Sequence, residues 1–111
     1  MPMNAGELER LRPTEGARFL LELDRSEAGG ARAHYHAWVL TPDGVFAYGA
    51  VLGDGGDVTV TAVDGGAPAE LVATLEMIAR LTARSASKKK EDGLPPWPHR
   101  VLRWRGAGRG G

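Results

Sequence analysis

The run ARAHYHAWVLTPDGVFAYGAVLG, residues 31–53, constrains the fold more than any other stretch of the chain. Two segments rich in aromatic and β-branched residues flank TPDG, where Pro42 presets the first turn torsion, Asp43 suits the next and Gly44 accepts a left-handed backbone. Such a pattern specifies an antiparallel hairpin, and a hairpin needs further elements to shelter one of its faces. A type I turn followed by a glycine bulge sets Thr41 opposite Val45, and the pairing then runs two residues at a time. In that register Tyr35, Ala37 and Val39 share a face with Val45, Ala47, Gly49 and Val51. His34, His36, Trp38 and Leu40 share the other with Phe46, Tyr48 and Leu52, so one face is small-sided and the other aromatic.

The rest of the chain supplies the missing elements. In residues 1–16, Asn4 caps a short helix with Glu7 three residues on, and Pro13 stops it. RFLLELD, residues 18–24, alternates Phe19, Leu21 and Leu23 with Leu20, Glu22 and Asp24, which reads as a strand ended by SEAGGA. Residues 57–63 alternate valine and threonine between glycine turns and form a fourth strand. Pro68 opens an amphipathic helix of about four turns, with Leu71, Val72, Leu75, Ile78 and Ala79 on one side, Leu81 at its edge and Glu76, Arg80 and Arg84 opposite. SASKKKEDG, residues 85–93, is polar and reads as an exposed loop. The expected fold is therefore α+β: a meander-like antiparallel sheet of four strands, with a fifth available in HRVLRWRG, and one helix on one face over residues 17–84. Residues 94–105 form a strap rich in proline, tryptophan and arginine, and residues 106–111 a tail with too little apolar content to pack.

A single helix covers only one face of a sheet. The small-sided face admits it most closely, which places Leu71, Leu75 and Ile78 there and leaves Trp38, Phe46 and Tyr48 to be shielded by something else. Three covers present themselves: the chain's own end through Trp97 or Trp104, a second copy of the protein, or an external ligand. In the last case aromatics beside Arg32, His34 and the basic residues Arg100, Arg103 and Arg105 resemble platforms that stack single-stranded nucleic acid. Lys88, Lys89 and Lys90 extend the basic set. Net charge is zero, but residues 1–83 hold 6 basic and 12 acidic side chains and residues 84–111 hold 8 and 2. A segment of +6 attached to a body of −6 points to an acidic partner or to the body itself.

Catalytic chemistry has little support. His34 and His36 project from one face of a strand and would offer two imidazoles to a metal, with His99 or a carboxylate as third ligand and hydrolysis as the natural chemistry. The serines sit in segments read as loops, and GDGGD lacks the lysine of a phosphate loop. The reading is a binding domain with no cofactor, its C-terminal segment packed over the aromatic face through its tryptophans and a dimer compatible with it; the alternatives are a protein that holds single-stranded nucleic acid and a metal-dependent hydrolase at His34 and His36. The absence of cysteine fits a cytoplasmic protein. The longest apolar run, VFAYGAVL, is too short to cross a membrane, the first residues carry no secretory leader pattern, and abundant Gly, Ala, Arg and Pro fit a GC-rich bacterial coding background.

Overall fold

The computed structural model describes residues 4–106. Helix α1 spans Ala5–Arg10, strand β1 Ala17–Ser26, β2 Arg32–Thr41, β3 Gly44–Gly53, β4 Val58–Ala62, helix α2 Ala69–Glu91 and β5 Arg100–Arg105. The strands form one antiparallel sheet in the order β4-β3-β2-β1-β5, so the first four make a meander and the last returns beside the first. The chain is an α+β domain with one main helix on a five-stranded sheet.

The hairpin forms with a shifted register. Thr41 pairs with Gly44 and Leu40 with Val45, so the loop is only Pro42–Asp43. The Thr41 hydroxyl accepts from the amides of Asp43 and Gly44 at 3.2 and 3.0 Å, which closes the turn locally. Gly44 does not have the positive φ that a glycine bulge requires. A one-residue slip transfers a whole strand's side chains to the opposite face. Phe46, Tyr48, Ala50 and Leu52 therefore lie beneath α2 with Ala33, Tyr35, Ala37 and Val39, whereas Val45, Ala47 and Gly49 join Trp38 and His36. This arrangement buries the larger apolar set of β3 under the helix, and apolar area removed from water is what favours it.

Helix α2 also runs further than its sequence predicts. Its buried stripe is Leu75, Ile78, Ala79, Ala83 and Ala86, so Ala86 continues the helical spacing into the segment read as a loop. Lys88, Lys89 and Lys90 occupy the last turn, where cations complement the helix dipole. Termination comes at Gly93, with φ of 74°: the amides of Gly93 and Leu94 donate to the carbonyls of Lys90 and Lys89.

The cover over Trp38 is none of the three expected. Leu8 and Leu11, from α1 and the residue that caps it, pack with Val45 and Ala47 around Leu20, Trp38 and Leu40 and leave Trp38 only 7% exposed. The helix is anchored by its Asn4–Glu7 capping bonds, both 2.9 Å. It is tied to the sheet by Arg18, which donates to the Leu11 carbonyl at 3.1 Å, and by Arg12, which donates to the Thr41 and Pro42 carbonyls.

The C-terminal strap extends the sheet instead of layering over it. Trp97 is buried within the helix-covered layer, its indole N–H donating to the Gly30 carbonyl at 2.9 Å. Gly30 has φ of 70°, which disfavours any other residue, and a Cβ there would lie 3.1 Å from the Pro96 ring and press on the strap. Tyr35 donates to the Pro98 carbonyl at 2.8 Å. Trp104 lies on the opposite face, 47% exposed, with its N–H directed to the Glu15 carbonyl at 3.1 Å. Of the tail read as residues 106–111, all but Gly106 lies outside the described residues.

Candidate functional site: a basic cleft beside the last strand

Strand β5 alternates its side chains between the two faces of the sheet. Val101, Arg103 and Arg105 pair with Leu21, Phe19 and Ala17, residues of the layer beneath α2. Arg100, Leu102 and Trp104 pair with Glu22, Leu20 and Arg18 on the other face. Helix α2 packs chiefly on β2, β3 and β4, and of β5 it is Val101 that enters the core beside it. The gap between helix and strand is a cleft of about 340 Å³.

Ile78 and Val101 are its buried apolar residues, and Thr82 and Ser85 contribute from the helix. Lys89, Arg103 and Arg105 bring three cations to it, and among the described residues no carboxylate lines it. Arg100 also borders the cleft, although its guanidinium reaches Glu22 at 3.9 Å. The neighbouring lysines are matched, Lys88 with Asp92 at 3.4 Å and Lys90 with Asp54 at 2.8 Å. Among the described residues Lys89, Arg103 and Arg105 have no acidic partner, and the enclosed Nε of Arg105 has no hydrogen-bond acceptor. Converging cations beside low-dielectric walls raise the local potential for an anion, and each guanidinium offers a planar fork to a carboxylate or phosphate.

The other sequence candidates are not brought to this place. Phe46 and Tyr48 belong to the layer under α2, where Tyr48 also accepts from the Ala67 amide at 2.6 Å, and Trp38 is sealed by Leu8 and Leu11. The three aromatics therefore do not form one open stacking platform. On the face opposite α2, His34, His36, Gly49, Thr59 and Thr61 line a shallow groove of about 250 Å³. His34 contacts Glu27 at 2.9 Å, whereas His36 faces Asp24 at 3.6 Å and stacks on Trp38 at 6.2 Å between ring centres. Arg32 lies 3.4 Å from the same Glu27. The His34 hydrogen bond, reinforced by the charge of Arg32, holds the Glu27 carboxyl below its ordinary value of 4.5.

Each histidine thus meets its own carboxylate. His99 lines a different cleft with Leu23 and Trp97, on the helix side of the sheet, so the three imidazoles are not assembled. Among the described residues no group of three or more potential ligands is placed to hold a metal. No described helix is long and apolar enough to cross a membrane.

Sequence reasoning included Lys89 in a diffuse basic set but missed its convergence with Arg103 and Arg105. That convergence depends on α2 continuing past Arg84, and the Ala83–Ala86 spacing was the available signal. Fold and cleft together define a small α+β domain with one open, cationic margin. The chain matches no protein-family model, no curated protein and no solved structure.

Proposed function

We propose that this chain is a non-catalytic binding domain whose ligand is anionic and occupies the cleft between α2 and β5. The observation that carries this reading is the meeting of Lys89 from the helix with Arg103 and Arg105 from the strand, in a cleft with an apolar floor and, among the described residues, no carboxylate. Arginines on an edge strand also deter edge-to-edge aggregation. That role accounts for Arg103 and Arg105 but not for a helical lysine directed at the same space. Self-association through two β5 edges is disfavoured, because it brings two arginine-rich strands together.

The test is a titration of the full chain with tripolyphosphate and hexaglutamate, followed through backbone amide shifts. Shifts centred on residues 82–89 and 101–105 that weaken as salt rises are expected. The triple variant Lys89→Gln, Arg103→Gln, Arg105→Gln should lose them. Equal binding by that variant, or no response from the wild type at low salt, rejects the site.

A further inference from the structure

We propose that the anionic ligand is an extended acidic peptide segment that adds to the free edge of β5 as a sixth strand. The inference rests on the anionic-ligand reading and narrows it. The Leu23 amide donates to the His99 carbonyl at 2.9 Å, at the start of the β1–β5 ladder. Antiparallel pairing alternates, so from that bond the backbone groups of Val101, Arg103 and Arg105 point toward β1, and those of Arg100, Leu102 and Trp104 point outward. The three outward residues are all exposed. They offer a template of main-chain donors and acceptors at the sheet edge that borders the basic cleft, the condition under which a strand is captured by main-chain bonding. The Leu102 carbonyl accepts from the Arg103 guanidinium at 2.9 Å, a bond that an added strand would replace as it frees that guanidinium for an acidic side chain.

Side chains then select the sequence. Residues of an added strand project alternately to the two sides of the sheet. On the α2 side they meet Arg103, Arg105 and Lys89, which suit glutamate or aspartate. On the other side they meet Leu102, 36% exposed, and the indole of Trp104, which suit a β-branched or aromatic residue, with Arg100 at the end of the row facing Glu22 at 3.9 Å. The preferred ligand therefore alternates acidic and apolar residues over about the six positions of β5. The same charges exclude a second β5, while the opposite edge, β4, carries only Val, Thr and Ala and holds no cation for an acidic strand.

The test uses the isotope-labelled full chain and an acetylated, amidated heptapeptide of alternating Glu and Val. Its controls are the same peptide N-methylated at every second residue on its bonding edge, and an eight-residue oligothymidylate. Binding of the plain peptide is expected to slow amide exchange at Arg100, Leu102 and Trp104, and N-methylation should weaken binding by about tenfold or more, equivalent to about 1.4 kcal/mol. Equal affinity for the N-methylated peptide overturns strand addition but leaves the anionic-ligand reading standing. So does binding of the oligothymidylate in place of the peptide, which replaces the ligand class. Failure of the peptide, the oligothymidylate and tripolyphosphate alike removes the two readings together. Protection of the same three amides by self-association of the free chain, with a matching rise in sedimenting mass, makes a second copy the occupant and overturns the peptide inference.

Discussion

Tyr35 shows how a single side chain couples the strap to the sheet. It stands on the helix-covered face of β2, is almost fully buried, and donates its hydroxyl proton to the Pro98 carbonyl. Burial disfavours the phenolate and pushes the group above its ordinary value of 10. The folded chain thus retains a proton that the unfolded chain releases first. The stability linked to this group is complete below pH 10 and declines as pH rises past it. Tyr35→Phe is expected to cost about 1 kcal/mol at neutral pH, because it leaves a shielded carbonyl without its donor. It should also flatten the alkaline fall in stability, and denaturant unfolding at pH 8 and pH 11 measures both effects. An unchanged alkaline slope would assign that fall to another group.

Elements depend on which faces their neighbours leave uncovered. Helix α1 has six residues, too few to persist alone, and holds its place through Leu8, Leu11 and the arginines that grip the hairpin turn. Replacing Leu8 and Leu11 with alanine removes the shield over Trp38. Acrylamide should then quench a second tryptophan in addition to the exposed Trp104, and the loss in stability should be about 1–3 kcal/mol for the pair of partly buried leucines. Persistence of a single quenchable indole would mean that Trp38 is sheltered by something other than α1. The sequence marked this helix correctly through its Asn4–Glu7 capping pattern but did not reveal its role, since six residues with two apolar side chains do not say which surface they meet. Helix α2 was legible as far as Arg84, while its last two turns were hidden by the polar run Ser85–Asp92. There the apolar stripe narrows to Ala86, and capping at Gly93 with Lys90 pairing to Asp54 supports the remainder.

At the scale of the whole molecule, β5 closes the structure. It pairs along β1 from Glu22 to Ala17 and brings Val101 and the strap's Trp97 into the main core, so the last described segment belongs to the cooperative unit. Removing a buried tryptophan alone costs about 3–5 kcal/mol, against a total near 5–15 kcal/mol for a domain. A chain ending at Gly93 is therefore expected to lose its cooperative thermal transition by circular dichroism, and a melt equal to that of the full chain would show β5 to be an appendage.

The residues by themselves determined the hairpin, the meander and the presence of one main covering helix as far as Arg84, because alternation, turn chemistry and helical spacing are local properties. They also determined that positive charge gathers in the last quarter of the chain. Tertiary structure alone decided which face each half of the hairpin presents: the Thr41 hydroxyl shortens the turn by one residue, and a slip that small exchanges Phe46 and Tyr48 for Ala47 and Gly49. It also decided that α1 shields Trp38, that Trp97 enters the core while Trp104 stays outside, and that Lys89 meets Arg103 and Arg105. These outcomes turn on contacts between segments far apart in the chain, where the energy of burying one face or another is settled only once every layer is in place.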